Sequence, residues 1–201
     1  MALFGIGASP VAPPYVRGDG LYLRLPETRD FEQWATLRDR SRAFLSPWEP
    51  MWAEDDLTRA SFRRRVRRHV QEMESEEAFA FLIFRETDDC LLGGVTLGHL
   101  RRGVSQTATM GYWMGAPHAG KRHMSRAVRA LTGYAFGTLR LHRLEAACLP
   151  HNTASIRLLE ATGFKHEGLA RGYLRIAGQW QDHLLYALLD GDPPGLSLRR
   201  V

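Results

Sequence analysis

The chain has 201 residues, 44% of them hydrophobic and 24% charged. That is enough for one α/β domain with a sizeable core, and it excludes wholesale disorder. The formal net charge of +5 suits an anionic cofactor or a nucleic-acid-rich partner without specifying either.

In chain order, residues 1–19 carry Gly and Pro but no early Lys or Arg. They lack the charged start of a secretion signal and read as a flexible N-terminal arm. Residues 20–190 read as a single domain without repeat or linker, and 191–201 as a C-terminal tail. Residues 21–25 alternate like a short strand. Thr28 and Asp30 then offer acceptors for a helix start, and 31–40 places Phe31, Trp34 and Leu37 at helical spacing. Two prolines in Ser46-Pro-Trp-Glu-Pro50 forbid a regular helix there. Residues 58–73 are again helical, with Phe62, Val66 and Val70 on one face. Arg59, Arg63, Arg64, Arg65, Arg67 and Arg68 crowd this segment. Three readings stay open: a solvated face, a docking face for a ribosome or RNA, or pairing with Glu72, Glu74, Glu76 and Glu77.

Residues 78–85 and 91–100 read as a hairpin about Asp88-Asp89, and 107–115 as a third strand after a break at 102–105. Residues 124–136 are helical, with Met124, Val128, Leu131 and Ala135 on one face. A strand at 141–149 leads to a short helix at 152–161, stopped by Gly163. Residues 172–176 and 179–189 form a last hairpin about Ala177-Gly178. The order predicts an α/β fold with a mixed sheet. No apolar run approaches the ~18–20 residues of a membrane span, so no membrane is expected. Cys90 and Cys148 lie far apart without metal-ligand spacing, which predicts a cytoplasmic, disulfide-free protein.

Two segments carry chemistry. The strand at 107–115 runs through Ala119, Gly120, Lys121, Arg122, His123 and Met124 to Ser125, where a helix is under way. Unpaired N–H groups and the positive end of a helix dipole make such a turn an anion site. Many such turns are purely structural. The second segment, 144–164, is a strand, a polar Asn152-x-x-Ser155 helix start and a Gly163-Phe164 exit.

Both units, with Leu45-x-Pro-Trp-Glu-Pro50, Pro150-His-Asn-x-x-Ser155 and Tyr173-Leu-x-Ile-x-Gly-Gln-Trp-x-Asp-His183, resemble the GNAT superfamily of acyl-CoA N-acyltransferases. Within it they look most like the RimJ/RimL branch, RimJ above all, which acetylates N-terminal amines of ribosomal proteins. The resemblance covers roughly residues 20–190. It implies a central, mostly antiparallel sheet splayed at the acyl-CoA site, with flanking helices. It implies acetyl-CoA as acyl donor and the N-terminal alanine of a ribosomal protein as acceptor, with direct attack on the thioester. Trp113, Met114, Ala119, Gly120, Lys121, Arg122, His123, Met124, Ser125 and Asn152 are then the cofactor-binding residues. A backbone N–H near Met114 takes the oxyanion. Ser155 protonates the departing thiolate, Asn152 holds the pantetheine arm or a water, and Glu145 is the base or water-holder. Trp48, Glu49, Trp52 and Tyr112 face the acceptor, with Glu54 as a second candidate carboxylate.

Bland readings stand beside these. Asn152 is a good helix cap, and Ser155 a first-turn residue that bonds backbone. Glu145 is a strand-surface carboxylate that can pair with Arg143 or Arg175. Trp48 and Trp52 suit core or lid packing. His118, His123 and His151 are surface or cap residues, and Cys148 has no matched His to activate it. The family's phosphate loop usually has Gln/Arg where Ala119 stands, Gly where Arg122 stands and a small residue where Met124 stands. Arg122 is expected to keep an ordinary φ. The family's Tyr after the Asn is here Leu159, so the role of thiolate acid must move or lapse. Two other functions compete: acetylation of a small amine, or a ribosome- or RNA-binding module with a GNAT fold and little turnover.

Overall fold

The structure, a computed structural model, describes residues 14–193. Residues 1–13 of the expected arm and 194–201 of the expected tail lie outside it. Residues Tyr15–Gly18 do not belong to an arm: they form strand β1, paired with β2 (Leu21–Arg24) across an Asp19-Gly20 turn. A two-residue Asp-Gly connection is the usual signal of a tight hairpin. Alternation buries Leu21 and Leu23 and leaves Tyr22 and Arg24 half-buried.

Helix α1 (Phe31–Arg40) starts behind a single 3-10 turn, where the Asp30 carboxylate accepts the Glu27 N–H and two bonds from Arg24. A short α2 (Arg42–Leu45) runs into a 3-10 turn over Ser46–Trp48, opened by Pro47. Thr58 caps α3 (Arg59–Glu74) through the Ser61 N–H. The arginines of α3 are mostly paired, but with acids outside the expected set. Arg59 meets Glu32, Arg64 meets Asp55, and Arg65 meets Asp56; of the expected acids only Glu72 takes part, bound by Arg68.

The remaining elements are β3 (Phe79–Arg85), β4 (Leu91–Arg101), β5 (Thr107–Met114), α4 (His123–Gly133), β6 (Arg143–Cys148), α5 (Thr153–Ala161), β7 (Lys165–Ile176) and β8 (Gln179–Leu189). Strand β7 is much longer than the expected 172–176: nearly all of it is exposed, so only the Ala177-Gly178 turn marked its end, and its pairing with β8 shifts register between His166 and Gly168 and between Ala170 and Leu174. The helix expected over 124–136 ends at Gly133 and continues as a π turn over Tyr134–Thr138.

The strands form one sheet in the order β1-β2-β3-β4-β5-β6-β8-β7. All neighbours are antiparallel except β5 and β6, which pair in parallel from Thr107–Arg143 to Met110–Ala146 and no further. Beyond that point β5 stays with β4 and β6 stays with β8, so the sheet opens as a V. One face is covered by α4 and α5, with Val128, Leu131 and Leu159 in the larger core. The other is covered by α1 and α3, with Trp34, Leu37, Phe62 and Val66 in the smaller one.

Close approach of β4 to β5 depends on Gly93-Gly94. A Cβ at Gly93 would overlap the Trp113 carbonyl oxygen and lie 3.1 Å from the Met114 Cα; one at Gly94 would sit 2.5 Å from the Trp113 indole nitrogen. Backbone cannot yield here without parting the strands. Gly93→Ala is therefore expected to cost about 1–3 kcal/mol, read as a lowered urea midpoint with an unchanged slope.

Candidate active site

Parallel strands that part leave a crevice beyond their carboxyl ends, where loops and helix starts collect. Both loops here run into helices. After β5, a 3-10 turn over Ala116–His118 is held by the His118 N–H to the Gly115 carbonyl, and the Ala116 N–H bonds the Ser41 hydroxyl at 2.9 Å. Helix α4 then begins at His123 with Arg122 as its cap residue, at φ +61° and ψ +8°. Arg122 is thus left-handed, contrary to the ordinary φ expected. With Gly120 at φ +73°, two left-handed residues bracket Lys121 and bend successive N–H groups to one side, forming an anion nest.

No side chain caps α4, whereas α3 and α5 are each capped by their own. The N–H groups of residues 120–125 find no protein acceptor among the described residues. A Cβ at Gly120 would meet nothing within 4 Å, so the space above the nest is open. This arrangement fits a pyrophosphate: bent backbone, unpaired donors, room, and a helix dipole behind them. Side chains contribute less than expected. Lys121 turns back onto the Pro117 carbonyl at 2.9 Å, Met124 is buried in the core, and Arg122 is exposed. Ala119 closes the 3-10 turn, its N–H on the Ala116 carbonyl, and Ser125 is half-buried.

After β6, the Asn152 side-chain oxygen accepts the Ser155 N–H at 3.1 Å and caps α5. The cap reading of that oxygen is therefore correct, and the amide nitrogen has no protein partner among the described residues. Burial raises the Tyr112 pKa well beyond the usual tyrosine range, and Ser155 is among the groups close enough to influence it. Leu159, in the place of the family's Tyr, is wholly buried in the core. Burial also pushes the Cys148 thiol up to about 11, which keeps it protonated and unreactive. The Gly115 N–H bonds Leu92 O on β4, so alternation turns the Met114 N–H away from β4 and into the V, where β6 no longer pairs.

On the opposite face lies a cleft of about 1200 Å³. Alternation sends the Trp113 indole into it, into the smaller core beside α1, so its side chain lies on this face and not on the face of the α4 nest where it was expected. The Pro-rich loop forms one wall. Glu49 accepts two bonds from Arg38 at 2.7 Å each and one from the Trp52 indole at 2.8 Å. The Arg38 guanidinium lies over the Trp52 ring at 4.1 Å and the Trp113 ring at 4.9 Å. Glu49 is thus the anchor of a clamp, not a carboxylate free for an amine. The loop is also tied outward. The Ala177 N–H at the tip of the last hairpin bonds the Glu49 carbonyl, and the Trp48 ring meets His151 before α5 at 5.5 Å. Glu54 is exposed and outside the cleft.

Glu145 lines the cleft floor and bonds Arg143 at 3.0 Å and Arg101 at 3.4 Å; the alternative partner, Arg175, instead bonds the Gly178 carbonyl. Asp182 and His183 point to opposite faces, Asp182 accepting the Gly172 N–H and His183 buried against Tyr173. Sequence reasoning missed Arg38 and Tyr173. The signal for Arg38 was its place four residues after Trp34, on the same buried helix face.

Residues 20–165 match the family model of the acetyltransferase (GNAT) domain. The chain is 38% identical over 177 residues to the probable N-acetyltransferase YjcK of Bacillus subtilis, covering 88% of this chain and 98% of that one. It is 34% identical over 174 residues to the ribosomal protein uS5-alanine N-acetyltransferase of Escherichia coli, covering 87% and 90%. Its fold superposes on Mycobacterium smegmatis RimJ in complex with CoA-disulfide with a TM-score of 0.83 at 29% identity, covering 90% and 88%.

Removing one member of the buried clamp leaves the other charged and without its partner. Arg38→Met is expected to cost about 3 kcal/mol, measured by urea unfolding, and to speed proteolytic cleavage within residues 46–53.

Proposed function

Because this chain belongs to the GNAT acetyltransferase family, we propose that it transfers the acetyl group of acetyl-CoA to the α-amine of a protein N-terminus, that of an alanine-headed ribosomal protein. One observation carries this reading. The opening between β5 and β6 joins an uncapped helix start on one face to the large cleft on the other. A donor held by its phosphates and an acceptor held in a groove meet at that opening.

The cleft supports a polypeptide acceptor over a small amine. At about 1200 Å³ it exceeds the ~300–1,000 Å³ usual for small-molecule sites. It is lined by Glu49, Asp56, Glu72, Glu77 and Glu145 against Arg38, Arg65, Arg68 and Arg101, a balance that tolerates a cationic terminus in a protein that is basic overall. The name of the E. coli relative supports the alanine acceptor. The N–H groups of Gly120 to Ser125 hold the pyrophosphate and the Asn152 amide nitrogen meets the pantetheine arm.

Bound acetyl-CoA supplies an acetyl group activated as a thioester. An α-amine has a pKa of ~7.7–8.0, so a useful fraction is neutral near pH 7 and needs only a weak base. Glu145, already bonded by two arginines, serves best by holding the water that carries that proton away. The Met114 N–H stabilises negative charge on the carbonyl oxygen. Ser155, in the first turn of α5, gives a proton to the departing sulfur, the role that the buried Leu159 cannot fill. Arg63 and Arg67, exposed and in no ion pair among the described residues, are the part of α3 left to meet a ribosome or RNA. The reading places the protein in the cytoplasm; no helix among the described residues is long and apolar enough to cross a membrane.

Incubation with labelled acetyl-CoA, ribosomal-protein N-terminal peptides and a panel of small amines is the decisive measurement. Acetylation of alanine-headed peptides is expected; acetylation of small amines alone would overturn the acceptor, and no acetyl-CoA binding by calorimetry would overturn the whole reading. Ser155→Ala is expected to lower kcat about a hundredfold with little change in CoA affinity. Unchanged kcat at saturating substrates would return Ser155 to a helix-start role.

A further inference from the structure

The chain that leads from the end of β5 to the phosphate nest is held at two consecutive residues, and the last turn of α1 takes part in both. The Gly115 N–H bonds the Leu92 carbonyl at 2.9 Å, and the Ala116 N–H bonds the Ser41 hydroxyl at 2.9 Å. Ser41 directly follows α1 and is wholly buried; its own N–H closes the helix on the Leu37 and Arg38 carbonyls. Ala116 opens a 3-10 turn, so its N–H is one of those that a helix start leaves over. The Ser41 oxygen, itself shut off from solvent, meets that donor from an element far away in the chain. Without the hydroxyl the N–H would lose its only protein acceptor among the described residues.

Gly115 is held by shape as well. Its φ of −59° and ψ of 136° suit any residue, so its backbone does not demand glycine. Space does: a Cβ there would overlap the Leu37 Cδ1 and lie 2.8 Å from the Leu37 Cγ. Leu37 is buried in the smaller core, where neighbours on every side resist its retreat. Helix α1 is in turn fixed to the start of β4, where Gln33 accepts the Leu91 N–H at 2.9 Å and donates to the Asp89 carbonyl at 3.3 Å. The helix, the start of β4 and residues 115–116 thus close a ring of contacts. Arg38, on the same turn as Leu37 and Ser41, holds the clamp that forms the cleft wall.

We propose that Ser41 and Leu37 are positioning residues that set the reach from the Met114 N–H to the nest at Gly120–Ser125, and with it the place where the thioester carbonyl comes to rest. This rests on the assignments of the nest to CoA and of the oxyanion to Met114 made above. Binding and reaction tolerate displacement differently. CoA is gripped at its phosphates by the nest, and a small shift at residues 115–116 leaves that grip intact. Reaction requires the carbonyl oxygen ~3 Å from its donor, and a misplacement of ~1 Å can cost about a hundredfold in rate. A free link from residue 114 to residue 120 could take any span up to ~20 Å. Fixed at its first two residues, it enters the 3-10 turn from one point and in one direction.

The test is Ser41→Ala. Sites are counted by calorimetric titration with CoA, so that any unfolded fraction drops out, and turnover is followed with acetyl-CoA and an alanine-headed ribosomal-protein N-terminal peptide. Turnover per counted site, kcat, is expected to fall about tenfold, while CoA affinity stays within about twofold. Gly115→Ala pushes the same point by its contact with Leu37 and is expected to show the same split. Leu37→Ala added to Gly115→Ala makes room for the new methyl and restores part of the rate. Recovery separates positioning from mere loss of stability, because Leu37→Ala removes buried surface and lowers stability further. Unchanged kcat per counted site in either variant overturns the proposal. So does CoA affinity that falls in step with kcat, or a Gly115→Ala defect that Leu37→Ala leaves in place. If Ser41→Ala fails to fold, the Gly115 and Leu37 variants decide alone. A wild type that binds no CoA, or transfers no acetyl group, overturns instead the reading of the site on which the proposal rests.

Discussion

Two parallel strands that pair for a few residues and then separate set the place of everything else in the site. Past Met110 and Ala146, β5 and β6 face each other without hydrogen bonds. An unpaired strand edge inside a sheet is costly unless something satisfies it. The gap cannot close, because β4 holds one arm to its end at Met114 and β8 holds the other through Cys148. The Gly93-Gly94 pair makes the first arm rigid by letting β4 and the Trp113 main chain nearly touch. What the separation exposes is main chain facing inward: the Met114 N–H on one arm, and loops leading to two helix starts at the mouth.

Those two helix starts are built differently. The cap of α5 satisfies its first turn internally, so that helix delivers side chains to the opening. The start of α4 is left unsatisfied and is bent by left-handed residues at 120 and 122. A left-handed Arg costs on the order of 1–2 kcal/mol. Strain of that size persists only where the surrounding fold over-determines it, and such places cluster where ligands are gripped. The contrast between a closed helix start and an open one is thus carried by backbone alone.

Much of this fold was legible in the chain. Periodicity and composition located α1, α3 and α5 and strands β2 to β6 to within a few residues; α1 and α3 bury one face, whereas β3 is buried on both and was marked by its aromatic and branched residues. Strand β7 was half lost because its residues are exposed on both faces, so no period marks it. Strand β1 was hidden by a Gly- and Pro-rich prefix, although Asp19-Gly20 announced the turn. Residue types pointed to the site, but their side chains were misassigned where tertiary contacts decide. Glu49 read as an acceptor carboxylate until Arg38 and Trp52 were seen to occupy it. Trp113 read as a cofactor neighbour until the register of β5 turned it to the other face. The φ of Arg122 was out of reach because composition says nothing about a turn that must open toward a ligand.

The bond from Ala177 to Glu49 has a wider consequence. It joins two segments far apart in the chain into one rim, with Met51 lying against Gly178 beside it. On the proposed reading, the donor half of the site is mostly main chain, which tolerates drift in side-chain identity, and the acceptor half is this stitched rim, whose shape depends on both segments at once. A change of acceptor therefore has to arrive as a matched pair of alterations. Anyone seeking to redirect the enzyme would need to graft the loop and the hairpin tip together, since a transplant of either alone would leave the seam unmatched.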